Sequence, residues 1–407
     1  MAINVLYIDG VGPFGGASRS LFEAVRMLSQ SDVRPHFVAA EGTALDVYRT
    51  VATDVIATRG LSRFDNTQYS HYRGVRWLVL LRELFHAPFT WRAMHEARRK
   101  WNDIDVIHVN EVTEIIPGLL AKRLFNVPMV VHVRSPQARN TNTCRSRWIY
   151  NVLAHKADAI IAINETTRAT MPASLNVDVI QNSFTAKVEV PVDPVMQGNL
   201  DKLRPTSLKV GFVGNVHVSK GIFDLVDAMH LARQQGHDVE LVVVGGNASP
   251  ARGLKGWLLE RAGLNQNVYE ELVARIGALG LQDSVHLMGA TKDIQRVYAR
   301  LDVLAFPSHF DAPGRPVFEA GFFGVPSIVC VRHPAPDTLV PGETGLTAPA
   351  CDPEGLAKAI VHFATQRDEV KRMGANAQLL AERNCDPANN AKKIRAVYAR
   401  VMEKRKT

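Results

Sequence analysis

Two glycine turns and one pair of acids carry most of the chemistry that this sequence can offer. The first turn, Gly12-Pro-Phe-Gly15-Gly16, follows the apolar run Ile3 to Ile8. The second reads Gly211-Phe-Val-Gly214-Asn215-Val-His-Val-Ser-Lys220-Gly221. A glycine turn after a parallel strand lets ligand atoms approach the backbone. The helix that follows offers N–H groups and a positive dipole end to phosphate. Neither turn is a G-x-G-x-x-G, and no acid is placed for the ribose of NAD. Lys220 would stand just before its helix, where a lysine makes a diphosphate site. The acid pair is Asp311 and Glu319, with seven residues between them across the turn Gly314-Arg315-Pro316. A carboxylate can accept from both hydroxyls of a ribose or sugar, and the Gly314 turn can present N–H groups to phosphate.

The elements that must hold these residues follow a repeated grammar. Apolar strand-like runs lie at 3–8, 36–40, 106–109, 129–133, 159–163 and 177–180. Helical spacing lies between them, at 17–28, 75–86, 89–100, 115–125 and 147–155. Alternating strand and helix implies a parallel, doubly wound sheet. From 183 to 207 the pattern lapses around Pro191, Pro194, Gly198 and Pro205, which reads as a linker. It restarts with strands at 208–213, 240–244, 285–288, 303–306 and 327–331 and a helix at 221–232. The expected division is a domain over 1–190, a second over 208–386, and a final helix from 387 packing back on the first. The basic stretch Ala251 to Arg261 is read as an extra helix covering the core, with a lid or surface loop as the alternative.

Composition agrees with two globular domains. The 407 residues are 46% apolar and 22% charged, and one core does not grow to that size. Cys144, Cys330, Cys351 and Cys385 form no C-x-x-C pair. This disfavours a zinc ribbon and fits a reducing compartment. The first residues lack the basic and apolar regions of a signal peptide, and no window reaches the roughly 18 apolar residues of a membrane span. A cytoplasmic protein is expected. The net charge of +8 is uneven: Arg59 to Trp101 holds nine Lys/Arg against three Asp/Glu, and eight of the 29 aromatic residues. Such a segment suits an anionic membrane surface, unless Trp77, Leu81, Leu84 and Phe85 are core. No stacking module points to nucleic acid.

The combined order of motifs resembles the family 4 retaining glycosyltransferases of the GT-B fold. The likeness runs from Gly12-Pro-Phe-Gly-Gly-Ala17 to Glu343-Thr-Gly-Leu346 and is strongest over 208–349. It implies two Rossmann-like doubly wound α/β domains facing a central cleft, with hinge closure over the donor. It also implies that Lys220 binds the donor diphosphate and that Glu319 holds the ribose. Asp311, one methylene shorter than the family's first Glu, would contact the donor sugar. Asn215 stands where the family often has arginine, so one cation is missing, and Arg315 is a candidate to replace it. Gly15, Gly16, Gly214, Gly314 and Pro316 complete the donor-binding set.

His132, in Val130-Val-His-Val-Arg134, resembles a family histidine near the donor sugar; it, Asp311 and Lys220 are the catalytic candidates. His108 ends another strand and is read as structural. Arg134, Arg139, Arg145 and Arg147 could face an anionic acceptor or donor phosphate, or be a solvated loop; Arg134 and Arg139 are carried as acceptor-side candidates. Asn164-Glu165 and Asn182-Ser183 are further cleft candidates. The only Asp-x-Asp, Asp103-Ile-Asp105, precedes a strand at the end away from the cleft, so no metal is expected. Nor is a cofactor expected: the nucleotide sugar, a UDP- or GDP-sugar, is substrate. The expected reaction is retaining, metal-independent transfer of its sugar to a hydroxyl of a saccharide or lipid-linked acceptor in cell-surface glycan synthesis. The alternatives are a sugar-nucleotide 2-epimerase of similar fold and a non-catalytic nucleotide-sugar-binding module.

Overall fold

The computed structural model describes residues 2–68, 70, 79–138, 140–186, 191–246, 268–310 and 314–405. The chain divides into two compact units, Met1–Thr185 with Asn384–Thr407, and Ala186–Arg383. Asp311, Arg139, Trp77 and the stretch Ala251 to Arg261 lie outside the described residues.

In the first unit, β1 (Ile3–Asp9), β2 (Val33–Ala40), β3 (Asp54–Thr58), β4 (Val106–Val109), β5 (Met129–Val133), β6 (Ala159–Ala162) and β7 (Asp178–Val179) form a sheet in the order β3-β2-β1-β4-β5-β6-β7. Every pairing is parallel. Both faces are covered, which is why the strands read as apolar runs rather than alternating ones. Leu6, Ile8, Ile107, Val109, Val131 and Val133 pack with Met94, Ile115, Ile149 and Leu153 on one face. The alternate residues Val5, Tyr7, Phe37, Val106, Val130 and Ile161 meet two helices on the other. These are Gly16–Leu28, through Leu21 and Val25, and Pro387–Lys404, through Ile394, Val397, Tyr398 and Val401. The edge strand β3 is short and only half-buried, too weak a pattern to find in sequence.

The terminal helix is well specified. Asp386 caps it by accepting from Asn389 N at 2.7 Å, and Pro387 occupies its first turn. Arg395 grips Asp32 with both nitrogens, at 2.7 and 2.5 Å. The helix Val79–Lys100 differs from the two helices expected on either side of Pro88: it is continuous, with Pro88 inside. Proline removes the bond to the carbonyl of Leu84. Leu84 is exposed, so water can satisfy that oxygen.

The second unit begins earlier than the sequence suggests. Residues 186–207 belong to it, and they hold the helix Pro194–Leu200, capped by Asp193. Met196, Leu200 and Leu203 are buried against Val242, Val244, Tyr298 and Leu304. Prolines hid a helix too short to show periodicity. The sheet comprises β8 (Leu208–Val213), β9 (Val239–Val244), β10 (Val285–Gly289), β11 (Val303–Phe306), β12 (Ser327–Val329) and β13 (Gly345–Thr347), in the order β10-β9-β8-β11-β12-β13. It too is parallel. In each sheet the strand order reverses beside the first strand, at β1/β4 and at β8/β11. Crevices for ligands open at the carboxyl ends of strands at such points. None of the four cysteines is in a disulfide, and Cys330 and Cys385 are buried. Among the described residues no helix is long and apolar enough to cross a membrane.

The helix Pro387–Lys404 should therefore be a major source of stability in its unit. Ile394→Ala should lower the unfolding free energy by about 2–4 kcal/mol, whereas Lys392→Ala on its exposed side should change it by less than about 0.5 kcal/mol. Urea unfolding followed by tryptophan fluorescence and circular dichroism measures both.

Candidate active site

In the second unit, the chain leaves β8 and turns at Gly214, whose φ is 150°. The backbone of β9 passes close by: a Cβ on Gly245 would sit 1.8 Å from the Gly214 carbonyl oxygen. Asn215 is exposed in the turn. Val218–Lys220 makes a single 3-10 turn, with the His217 side chain accepting from Ser219 N at 3.1 Å. Gly221 then opens the helix Ile222–Gln234 at φ 71°. A Cβ there would lie 1.9 Å from the Pro307 oxygen, so glycine is required by both conformation and space. His309 N donates to Ser219 O at 3.0 Å. These contacts fasten the loop after β11 to the lysine turn.

That fastening sets the surroundings of Lys220. Its Nζ lies 5.7 Å from the ring centroid of Phe306 and 5.6 Å from that of Phe310, within cation–π range. Burial holds its pKa below the usual lysine value. No carboxylate pairs with it among the described residues. A half-buried cation held by aromatic faces keeps its charge available to an incoming anion.

Gly314 begins the helix Arg315–Gly321 in extended conformation, and Pro316 sits in its first turn. A Cβ on Gly314 would come within 2.6 Å of the Phe306 ring. Glu319 is 3% exposed. Its Oε2 accepts from the Tyr298 hydroxyl at 2.9 Å, and its Oε1 from Arg315 Nε at 2.9 Å. The structure thus gives the Arg315 guanidinium to Glu319. The charge expected to compensate for Asn215 is already shared with a carboxylate inside the helix. Below Lys220, His309 Nε2 lies 2.7 Å from Asp224 Oδ2. With Cys351 these side chains place ligand atoms within 4.8 Å of one another. The Asp-x-Asp is spoken for at the amino ends of the strands: Asn4 N donates to Asp105 at 2.9 Å and Asn4 Nδ2 to Asp103 at 3.1 Å.

In the first unit the tight glycines are Gly10 and Gly12 rather than Gly15 and Gly16. Gly10 N donates to Glu114 Oε1 at 2.6 Å, and a Cβ on Gly12 would sit 2.5 Å from the Glu41 oxygen. Gly15 and Gly16 start the helix Gly16–Leu28 with no side-chain cap, and a Cβ on Gly15 would find its nearest atom at 3.9 Å. They leave that helix start open.

His132, on β5, is 3% exposed. Its Nδ1 lies 3.2 Å from His108 Nε2 and 3.3 Å from Arg134 Nη2. Burial, then Arg134 and His108, hold its pKa well below the histidine range. His108 is held to about 3, by burial and then Arg134. Both rings are therefore neutral. Arg134, carried as an acceptor-side candidate and not part of a solvated loop, is buried. Its Nε donates to Asn110 O at 3.0 Å and Asn110 Oδ1 at 2.8 Å, and its Nη1 to Asn182 Oδ1 at 2.7 Å. Arg145 is bound to Asn66 and Ser70, Arg147 to Cys144, and Asn164 caps a short helix.

The sequence reading missed Asn110, Glu111 and Glu114, which follow β4 directly. Glu111 accepts from Val112 N and Ser135 Oγ, and burial raises its pKa to about 7. Glu114 is raised well above the usual range by burial and by Asp9. Among the described residues, Asn110 Nδ2, Glu114 Oε2 and His132 Nε2 are buried without a partner. Each such atom costs about 1–3 kcal/mol when left unsatisfied. The available signal was two acids placed immediately beyond a buried strand.

The chain matches two family models along most of its length: glycosyl transferases group 1 over residues 201–380 and glycosyltransferase family 4 over residues 14–183. It belongs to the family 4 glycosyltransferases, enzymes of the GT-B fold built from two Rossmann-like domains. Its relatives include the lipopolysaccharide core biosynthesis mannosyltransferase LpsB of Rhizobium meliloti (strain 1021), 25% identical over 80% of this chain and 85% of that one. A D-inositol 3-phosphate glycosyltransferase of Corynebacterium diphtheriae is 25% identical over 96% of this chain and 90% of that one. In fold it is similar to Anabaena Alr3699/HepE, whose structure holds UDP and glucose, with a TM-score of 0.74, 20% identity and coverage of 98% and 99% of the two chains.

The buried groups set a pH profile. As pH falls toward the ordinary carboxyl range, Glu111, from about pH 7, and Glu114 are protonated in the folded chain before the unfolded chain, which favours folding. From about pH 6.5 downward the unfolded histidines bind protons that folded His108 and His132 refuse, which opposes it. The two effects offset until the acids are protonated in both states. Below about pH 4.5 the histidines still oppose folding, His108 by about 1.4 kcal/mol per pH unit down to about pH 3, and Asp32, Asp54 and Glu240, whose carboxyls their partners hold below the usual range, add to the loss as they are protonated. Urea midpoints from pH 8 to 3.5 should show a plateau and then a steep fall. A steady decline starting at pH 6.5 would mean that the two acids are ionised in the folded protein.

Proposed function

We propose that this glycosyltransferase moves a sugar from a nucleotide-sugar donor, a UDP- or GDP-sugar, to a hydroxyl of a saccharide or lipid-linked acceptor in cell-surface glycan synthesis, with retention and without a metal. The observation that carries the reading is Lys220, half-buried between Phe306 and Phe310 with no described carboxylate beside it. In this reading the diphosphate lies on Lys220 and the first turn of the helix behind Gly221. Glu319 accepts from the ribose hydroxyls while Tyr298 and Arg315 hold it in place. The anomeric carbon–oxygen bond breaks with its electrons passing to the diphosphate, through an oxocarbenium-like state, and the acceptor oxygen bonds to that carbon as its proton passes to the departing phosphate oxygen. Lys220 and the helix dipole stabilise the charge that develops on the leaving group. Asp311 contacts the donor sugar. The mannosyltransferase and inositol-phosphate glycosyltransferase among its relatives support the saccharide and polar-alcohol acceptor classes, and a fold neighbour holding UDP and glucose supports the donor class.

A panel of UDP-, GDP- and ADP-sugars with EDTA present tests this, following released nucleoside diphosphate and sugar isomerisation together. One donor should be cleaved slowly without acceptor. Lys220→Ala should lower kcat/KM for that donor on the order of 10²–10³-fold, and Glu319→Ala should also abolish efficient turnover. Isomerisation without release would turn the reading to an epimerase.

A second observation favours work at a membrane surface. On the helix Val79–Lys100, Leu80, Leu81, Leu84, Phe85 and Trp91 are exposed, not core. Leu81, Leu84, Phe85, Pro88 and Trp91 follow helical spacing on one side. Arg82, Arg92 and Arg99 lie along the same helix, and Arg59 stacks over Phe89. Exposed apolar and cationic side chains together suit an anionic bilayer. Flotation with vesicles containing anionic lipid should recruit the protein at low salt. Leu84→Ser with Phe85→Ser should reduce recruitment at least severalfold, and equal flotation with neutral and anionic vesicles would remove the electrostatic part of the reading.

A further inference from the structure

The hydroxyl of Tyr398 enters the unit from the terminal helix and is fully buried. It lies 3.1 Å from the Tyr7 hydroxyl on β1 and 2.6 Å from His108 Nδ1 on β4. His108 Nε2 lies 3.2 Å from His132 Nδ1 on β5. Arg134 Nη2 reaches the same Nδ1 at 3.3 Å. His132 Nε2 is buried and has no partner among the described residues.

The chemistry of these groups leaves one direction for the protons. A guanidinium only donates, so His132 Nδ1 accepts, and the proton of this neutral ring sits on Nε2. His108 Nε2 meets the same accepting nitrogen, so it must donate. That places the proton of His108 on Nε2 and leaves its Nδ1 bare. Tyr398 then donates to His108 Nδ1, and its oxygen accepts from the Tyr7 hydroxyl. The tautomer of a histidine is set by the bond its other nitrogen makes. Here that rule propagates through two rings.

We propose that Tyr398, with Tyr7 and His108, is a positioning residue that fixes His132 as an Nε2–H donor, aimed at a hydroxyl or ether oxygen of the bound sugar. The identity of that ligand rests on the function proposed above; the proton arrangement does not. The helix Pro387–Lys404 thereby acts on His132 through one intermediary side chain, His108, without touching substrate. Phe37 stacks on Tyr7 at 5.1 Å and holds the far end of the relay in place.

Histidine-selective ¹⁵N labelling of the full chain, with long-range ¹H–¹⁵N correlation spectra near pH 7.5, reads the tautomers directly. His108→Gln and His132→Gln assign the signals. In the ligand-free protein both rings should show the Nε2–H pattern, and an Nδ1–H pattern at His132 would overturn the proposal. Tyr398→Phe keeps the ring and removes the donor. It should mix the tautomers of His108, reduce the Nε2–H fraction of His132 and lower kcat/KM about tenfold. Val401→Ala loosens the same helix without touching the relay and should leave both spectra and kcat/KM close to wild type. If it matches Tyr398→Phe in both, helix packing rather than the hydroxyl is responsible and the proposal fails. Should Tyr398→Phe not fold, Tyr7→Phe tests the outer link, and unchanged tautomers together with unchanged turnover would refute it. Expected tautomers in a protein that cleaves no nucleotide sugar would uphold the relay and sink the functional reading instead.

Discussion

A parallel sheet must be covered on both faces, because its strands bury their side chains above and below. In the first unit one face is closed by helices that lie between the strands in sequence. The other is closed in part by the helix Pro387–Lys404, which arrives after the whole of the second unit. Val106, Val130 and Ile161 would otherwise lack part of their packing. The same helix brings polar atoms as well as apolar ones. Asn390 donates to the Gln181 and Asn384 oxygens, Arg400 pairs with Asp178, and Tyr398 joins the buried line of rings. Closing the core and ordering the site are thus one act of packing.

The two units solve the same problem with different chemistry. In the second, an exposed turn is made rigid by glycines that nothing larger could replace, and a lysine is left leaning on aromatic faces. In the first, the carboxyl ends of β4 and β5 carry buried imidazoles, acids and a buried arginine whose bonds run inward. The former arrangement offers charge to a ligand. The latter offers a small number of oriented donors and acceptors in surroundings that hold water out, where each hydrogen bond counts for more.

How much of this the sequence disclosed follows from the range of the interactions involved. The strands at 3–8, 106–109, 129–133 and 303–306 were plain, since buried parallel strands are apolar throughout. The placement of Lys220 beside the Gly221 turn and of Glu319 in the helix after Gly314 was also legible, because that spacing is local. The strands β3 and β13 were not: each is short, and one lies at each sheet's edge. The helix Pro194–Leu200 was hidden among prolines. The fate of Arg134 could not be read, because its partners Asn110 and Asn182 lie 24 and 48 residues away. Tyr398 was visible only as one apolar-face residue of a helix. Its hydroxyl acquires meaning from His108, 290 residues earlier. Local spacing reveals charge and turn; only the fold reveals which polar atoms are shared.

The discontinuity of the first unit also reverses the usual order of events during synthesis. Domains generally fold as units in the order in which they emerge. Here the second unit is contiguous from Ala186 to Arg383, so all of it has been made when the first still lacks its last helix. The first unit's sheet must wait, with Tyr7, Val130 and Ile161 short of their final cover, until Pro387–Lys404 appears. A nascent chain of this protein holds that apolar surface open for the whole time the second unit takes to be made, and that interval is when it most needs protection from wrong partners.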